Sequence, residues 1–296
     1  MTAELRTTPP RPVRVAVAGG ELVAGVWGSG DPPVVLAVHG ITASHRAWGL
    51  VAARLRSGTL IAPDLRGRGG SAGLPGPYGM AAHARDCVAV LDALGVRDAV
   101  VAGHSMGGFV AVVLAHRHPE RVRRLVLVDG GAPLPPPDVP PGASPEQVLD
   151  AVIGPAARRL SMRFPTREAY RDFWRNHPAF ATTWSPAVES YVEYDLSGRP
   201  GAWRPRAAFD AVREDSVDIH RGAEPREAFQ ALARADVDAQ FLRAERGLLD
   251  EPVPLYPDPD PIAAVVPVRT VPGTNHYTIL LGEPGASAVV DALDIP

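Results

Sequence analysis

Apolar residues along the chain follow two patterns that alternate. Short, continuous apolar runs at 34–38, 59–62, 100–102 and 124–128 are typical of strands that are buried on both faces of a sheet. The segments between these runs place apolar residues at helical spacing, most clearly at 80–94. Strands that alternate with helices predict a parallel sheet with right-handed crossover connections.

The alternation is interrupted in the second half of the chain. A proline-rich stretch follows the last of these runs, and the residues after it show helical patterns and many aromatic side chains but no convincing strand. Strand patterns resume at 239–242 and 268–271. We therefore predict a core domain formed by 12–132 and 236–296, with a helical insert at 133–235.

Composition and charge exclude several classes of partner. The chain has 296 residues, 46% of them hydrophobic, and a net charge of −3, which gives no indication of nucleic-acid or anionic-membrane binding. Cys87 is the single cysteine, so a disulfide within the chain is excluded. The N-terminal residues lack an apolar signal region, and no apolar run is long enough to span a bilayer. We expect a cytoplasmic monomer or homodimer whose partner is a small-molecule substrate.

One short segment carries the clearest chemical signal. Gly103-His104-Ser105-Met106-Gly107 matches the G-x-S-x-G pattern of a nucleophile elbow, between an apolar run and a small-residue helical pattern. Such a turn exposes the serine at its apex, and glycine on each side leaves room where a Cβ atom would collide with neighbouring backbone. A serine hydroxyl reacts when a base activates it and an oxyanion is stabilised. Ser105 is therefore the candidate nucleophile.

Four motifs in order give the chain a resemblance to the α/β-hydrolase superfamily. They are Val38-His39-Gly40, the glycine-rich segment 64–71, the elbow at 103–108 and Pro272-Gly273-Thr274-Asn275-His276. The resemblance covers nearly all of the chain from residue 14 onward. It implies an α/β-hydrolase fold, with a mostly parallel, doubly wound sheet and an inserted helical cap over the active site.

The resemblance also places a base and an acid. His276, before the last helix, is the predicted base, because imidazole is a neutral proton acceptor near neutral pH. The family usually takes its acid from a Gly-x-x-Asp segment after the strand at 239–242, but here Gly247 occupies the aspartate position. Asp250, three residues later, is the predicted acid, since the order Ser105, Asp250, His276 fits the fold. The alternatives for the acid are Asp129 and Glu245.

The same resemblance indicates how the rest of the site is built. The oxyanion hole would use the backbone N–H groups of Met106 and of Ile41, in the loop after the first buried strand. Substrate pockets are mainly apolar, and a cap presents apolar side chains to them. The pocket candidates are His39 and Thr42 beside the oxyanion loop, and Trp184 and Tyr191 in the insert.

Together these residues predict a serine hydrolase that cleaves an ester or lactone of a small, fairly apolar molecule through an acyl-enzyme. Carbon–carbon bond hydrolysis, thioester cleavage and cofactor-free perhydrolysis use the same triad and stay open. A ligand-binding receptor on a hydrolase scaffold is the alternative from another class. We expect no cofactor and no metal, because the chain has neither an H-E-x-x-H motif nor a G-x-G-x-x-G motif after its first strand.

Overall fold

The computed structural model describes residues 9–135, 139–140, 142–144, 147, 150–151, 154 and 158–294. The strands are β1 (Arg11–Val17), β2 (Gly20–Trp27), β3 (Val34–Val38), β4 (Thr59–Pro63), β5 (Ala99–His104), β6 (Val122–Val128), β7 (Leu196–Ser197), β8 (Arg204–Pro205), β9 (Asp238–Ala244) and β10 (Val268–Val271). Eight of them form one sheet in the order β1-β2-β4-β3-β5-β6-β9-β10, and β7 pairs with β8 in a separate short hairpin.

The large sheet is mostly parallel, which confirms the predicted architecture. Strands β4, β3, β5, β6, β9 and β10 run parallel to one another, whereas β1 pairs antiparallel with β2, and β2 with β4. Every residue of β4 and β5 is buried, as their continuous apolar runs indicate. Because parallel strands end at the same edge, the loops after β3, β5, β6 and β9 meet there.

Helices cover both faces of this sheet. They are α1 (Gly49–Ala52), α2 (Met80–Ala93), α3 (Met106–Arg117), α4 (Arg167–Arg175), α5 (Pro186–Tyr194), α6 (Phe209–Arg221), α7 (Ala223–Ala231), α8 (Asp260–Ala263), α9 (Thr278–Leu281) and α10 (Glu283–Leu293). One buried cluster joins the sheet to α2, α3 and α7, and the other joins it to α1, α9, α10 and the segment 158–205, which we call the cap. Within the described ranges, no helix is long and apolar enough to cross a bilayer.

The cap is built around two helices with well-defined starts. The helix α4 begins after Thr166, whose Oγ1 accepts a hydrogen bond from Ala169 N (3.0 Å). The helix α5 begins after Ser185, whose Oγ accepts one from Val188 N (3.3 Å). Buried aromatic residues of both helices join the same cluster as α9, so the cap is anchored beside the sheet edge where the loops meet.

The last helices of the predicted insert pack with the core instead. The helix α7 contributes Phe229 to the buried cluster of α2 and α3. The helix α6 contributes Asp215, which is fully buried and lies 2.9 Å from His83 Nε2 of α2. Residues 209–231 therefore pack against α2 and α3, and the insert boundary at residue 235 stays a prediction. The helical spacing of apolar residues in this segment predicted that one face of each helix is buried. It did not predict which part of the molecule that face packs against.

Candidate active site

Ser105 lies at the turn between β5 and α3, at the carboxyl edge of the sheet. Its backbone has φ 54° and ψ −124°, a positive-φ conformation that residues other than glycine rarely adopt. A Cβ atom on Gly103 would lie 2.2 Å from Gly107 O, and one on Gly107 would lie 2.1 Å from Val38 O. Only glycine fits at both positions, and this permits the tight turn that presents Ser105.

The loop after β3 passes directly against the serine. A Cβ atom on Gly40 would lie 3.1 Å from Ser105 Cβ. Ile41, the next residue, is held by Arg68, whose Nε donates to Ile41 O (2.9 Å). Met106 opens α3, where a backbone N–H has no acceptor within the helix. The two predicted oxyanion donors, Ile41 and Met106, border the same cavity as Ser105.

His276 meets Asp129 where the loops after β10 and β6 come together. His276 Nδ1 lies 2.7 Å from Asp129 Oδ2, and Asp129 Oδ1 accepts a hydrogen bond from Ala244 N (3.0 Å). Asp129 is fully buried, so its carboxylate depends on these two bonds in place of water. The bond to Asp129 puts the imidazole proton on Nδ1 and leaves Nε2 as a proton acceptor.

Asp250, the predicted acid, is not bonded to His276. Its Oδ1 accepts hydrogen bonds from Arg246 Nε (2.9 Å) and Asn275 Nδ2 (3.1 Å), and its side chain is 41% exposed. Asp129 takes the place of Asp250 as the partner of His276. It directly follows β6, which lies beside β9 in the sheet, and its carboxylate contacts the imidazole. The loop after β9 instead turns outward before Asp250 is reached.

Glu245 and His39, two other predicted site residues, make contacts that support loops. Glu245 is exposed and accepts a hydrogen bond from Gly273 N (2.8 Å), so it supports the loop after β10. His39 does not border the cavity: its Nδ1 donates to Gly40 O (2.7 Å) and its Nε2 accepts from Leu65 N (3.0 Å). Burial lowers the pKa of His39 to about 4, so this histidine is a neutral support for the loop after β3.

His104, directly before Ser105 in the chain, lies against His276. Its ring centroid lies 4.7 Å from that of His276, and its Nε2 donates to the backbone carbonyl oxygen of His276 (2.8 Å). Burial and the neighbouring His276 lower the pKa of His104 well below its ordinary value. His104 therefore supports the backbone of His276 as a neutral imidazole. Its place directly before the nucleophile was the available sequence signal.

A cavity of about 610 Å³ lies over Ser105, between the sheet edge and the cap. Cavities of this size accept small molecules. Of the two cap residues predicted to line it, Tyr191 does so, as does Thr42 beside the oxyanion loop. Trp184 does not border the cavity, and its ring lies 5.1 Å from the guanidinium carbon of Arg175 instead. An aromatic residue of the cap can either line the cavity or pack against an arginine at the surface. The sequence does not distinguish these two arrangements.

Several lining residues were not singled out from the sequence. Trp174, His177 and Tyr277 border the cavity, and so does Arg159, which is only 3% exposed. Tyr277 directly follows the predicted base, which was a usable signal. Arg159 gave none, because its segment contains many arginines and a buried one resembles the rest.

Known proteins share this architecture. Residues 33–214 match the family model of the alpha/beta hydrolase fold. The chain is 36% identical over 127 residues to the lipase LipV of Mycobacterium tuberculosis, a match that covers 43% of this chain and 46% of that protein. It is 49% identical over 70 residues to the 2-hydroxymuconate semialdehyde hydrolase of Pseudomonas putida, covering 23% and 25%. The chain thus matches less than half the length of these curated relatives.

A solved structure extends the likeness to the whole chain. The structure of E-2-(acetamidomethylene)succinate hydrolase aligns with 97% of this chain and 100% of its own, at a TM-score of 0.77 and 23% identity. At that identity the alignment shows the fold alone. The family model, however, covers more than half of the sequence, including the nucleophile elbow. The chain therefore belongs to the α/β hydrolase fold family.

Proposed function

We propose that this protein is a serine hydrolase that cleaves a carboxylic ester or lactone of a small molecule through an acyl-enzyme. The observation that carries the proposal is the bond between His276 Nδ1 and Asp129 Oδ2 (2.7 Å), beside the cavity that also contains Ser105. A buried carboxylate that orients an imidazole, with a serine in a positive-φ turn bordering the same cavity, is the arrangement that serine hydrolysis requires.

In this mechanism Ser105 Oγ attacks the substrate carbonyl and His276 Nε2 takes the serine proton. Asp129 stabilises the imidazolium that forms, and the backbone N–H groups of Ile41 and Met106 bind the oxyanion. His276 then returns the proton to the leaving alcohol, and the acyl-enzyme remains. Water, activated by the same imidazole, attacks the acyl group and restores the serine.

The test is covalent labelling combined with turnover. A fluorophosphonate probe should add once per chain, and a panel of acyl p-nitrophenyl esters and lactones should be hydrolysed. Ser105→Ala should abolish labelling and reduce turnover to, at most, about 10³-fold over the rate in water. Ser287→Ala removes an exposed serine on α10 and is the matched control, which should behave as wild type. Labelling that persists in Ser105→Ala would overturn the assignment.

Hydrolysis of a carbon–carbon bond is the second candidate. It is favoured by the relative from Pseudomonas putida, which is named as a semialdehyde hydrolase and is 49% identical over 70 residues. The same residues would serve: Ser105 Oγ attacks one carbonyl, whose oxyanion the backbone N–H groups bind. The adjacent carbon–carbon bond then breaks, the leaving fragment departs as an enolate that takes the proton from His276, and water hydrolyses the acyl-enzyme. Probe labelling at Ser105 without turnover of any ester or lactone, together with cleavage of a vinylogous diketone, would favour this candidate.

A further inference from the structure

The cap supplies one wall of the cavity, and this wall contains a buried arginine with an unused donor. Arg159 borders the cavity, and its Nη1 donates to Tyr170 Oη (2.6 Å) and to Asp195 Oδ2. Its guanidinium carbon lies 5.0 Å from the centre of the Trp174 ring. Within the described residues its Nη2 is buried and has no acceptor. A buried, charged N–H group without an acceptor is costly, and a ligand that supplies one would remove this cost.

Asp195 does not engage the whole guanidinium. Its contact with Arg159 is to Nη1 alone, and the same carboxylate oxygen accepts a hydrogen bond from Tyr170 Oη. The other oxygen accepts one from Arg206 N (3.3 Å). The two-pronged pairing that arginine forms with carboxylates is therefore not made here, and Arg159 Nη2 has no carboxylate partner.

Three further donors surround the same tryptophan and border the cavity. The ring centroids of His177, Tyr191 and Tyr277 lie 5.2, 6.2 and 5.9 Å from that of Trp174. Burial raises the pKa of both tyrosine hydroxyls, so they keep their protons. Burial lowers the pKa of His177, and its Nδ1 accepts a hydrogen bond from Ala179 N (3.3 Å), which leaves the proton on Nε2. We call Arg159, His177, Tyr191 and Tyr277 the donor cluster.

The described lining of the cavity offers little negative charge to match the donor cluster. Asp129 is bonded to His276 and Ala244. Glu251 is exposed, and its Oε2 accepts a hydrogen bond from Leu249 N (2.8 Å). The donor cluster therefore forms a hydrogen-bond-donating end in a cavity whose other walls are largely apolar, with the charge of Arg159 partly offset by Asp195 behind it.

We propose that the donor cluster binds a carboxylate of the substrate, so that the molecule hydrolysed carries an anionic group in addition to the reacting ester or lactone. Arg159 is the specificity-determining residue, and Tyr191 and Tyr277 add neutral hydrogen bonds to the same group. The inference rests on the proposed hydrolase function and changes the expected substrate, which is an acidic rather than a fairly apolar molecule.

The test compares esters that differ only in this group. Mono-p-nitrophenyl esters of succinate, glutarate and adipate are matched with p-nitrophenyl esters of the monocarboxylic acids of equal carbon number. We expect kcat/KM for the best anionic ester to exceed that of its neutral partner by at least about tenfold. Arg159→Gln should lower this ratio about tenfold, to near one, because the charge pair with the substrate carboxylate is lost. Arg163→Gln, an exposed arginine in the same segment, should leave the ratio unchanged.

Two further variants protect the test against misfolding, because Arg159→Gln also takes a partner from Asp195. Arg159→Lys keeps the charge and should retain part of the preference for the anionic ester. Tyr191→Phe removes one hydroxyl and should lower the ratio about three- to tenfold. An unchanged ratio in both Arg159→Gln and Tyr191→Phe would overturn the inference.

Binding without catalysis separates this inference from the proposed function. In the Ser105→Ala variant, monomethyl adipate should raise the thermal midpoint and dimethyl adipate should not, and Arg159→Gln should abolish the difference. Turnover of neutral and anionic esters at equal rates, with no selective thermal shift, would leave the hydrolase in place and overturn the carboxylate site. Selective binding without ester turnover by the wild type would support the carboxylate site and count against the proposed function.

Discussion

The loops after β6 and after β9 each present an aspartate at the sheet edge, and the two residues have opposite environments. Both adopt positive φ, 46° at Asp129 and 64° at Asp250. Asp129 is fully buried and bonded to the imidazole of His276, whereas the Asp250 side chain is 41% exposed and bonded to Arg246. The two aspartates therefore share their place between Ser105 and His276 in the chain and a positive φ. They differ in burial and in hydrogen-bond partners.

This difference shows what a carboxylate needs in order to orient an imidazole. Asp129 has one oxygen on Ala244 N and the other on His276 Nδ1, so neither oxygen depends on water. A carboxylate held in this way keeps its full charge effect on the imidazole, because little solvent lies between them to screen it. Asp250 is screened by solvent and by the cation of Arg246, and its contacts support the loop rather than the base.

The largest test of the comparison is the loss of each carboxylate in turn. Asp129→Asn should lower kcat roughly 10⁴-fold, because an amide there favours the wrong imidazole tautomer. Asp250→Asn should stay within about tenfold of wild type. Asparagine suits both sites, since it tolerates positive φ better than alanine does. Kinetics on one chromogenic ester measure both variants, and a severe loss in Asp250→Asn with near-normal Asp129→Asn would reverse the comparison.

The sequence predicted the parts of the fold that are local. The apolar runs gave the strands, and the elbow around Ser105 required glycine at fixed offsets for steric reasons. The choice between Asp129 and Asp250 was not local, because each follows a strand and lies between Ser105 and His276 in the chain. It depends on how far each loop travels before its aspartate appears, and this is decided by tertiary contacts such as Arg246 with Asp250.

The contrast in burial also predicts how the fold responds to acid. His39 lies among the buried strand ends and has a pKa of about 4, lowered by burial from an ordinary value of 6.5. Between these values the unfolded chain binds a proton that the folded chain does not. The free energy of unfolding should therefore be constant above about pH 7 and fall by about 3 kcal/mol as the pH drops to about 4. His104 should add to this loss, because its pKa is also lowered.

Urea unfolding at a series of pH values measures this effect. His39→Gln keeps groups able to bond Gly40 O and Leu65 N but does not titrate, so its stability should depend less steeply on pH. His118→Gln, on a half-exposed histidine far from the site, is the control and should keep the wild-type slope. The two pH values to compare are about 7.5 and about 5, which lie on either side of the ordinary pKa of histidine. Equal urea midpoints of the wild type at these two values would contradict the presence of buried neutral histidines.

Asn275 joins the loop after β10, which carries His276, to the loop after β9, and its removal should have an intermediate effect. Its Nδ2 donates to Asp250 Oδ1 (3.1 Å) and to Ala179 O of the cap (2.9 Å), while its Oδ1 accepts from Thr278 N (2.9 Å). Asn275→Ala should cost about 2 kcal/mol of stability and lower kcat about tenfold, because the backbone next to His276 loses its support.

The control for this variant is Asn176→Ala, which removes an exposed asparagine whose Nδ2 makes a hydrogen bond to Asp172 O (2.8 Å). It should change neither stability nor kcat measurably. Thermal unfolding measures the stability of both variants, and single-turnover kinetics measure the rate of their chemical step. Wild-type kcat in Asn275→Ala would show that this asparagine has no part in positioning His276.

The smallest expected effect is on stability and concerns Asp250, the more exposed of the two aspartates. Because Arg246 and Asp250 form a partly solvated ion pair, their coupling should be under about 1 kcal/mol and should vanish in about 1 M salt. A double-mutant cycle of Arg246→Gln and Asp250→Asn, measured by urea unfolding at low and high salt, gives this energy. A coupling above about 2 kcal/mol that salt does not reduce would mean that Asp250 behaves as a buried charge. The two aspartates would then differ in their partners alone, and burial would no longer explain which one the imidazole uses.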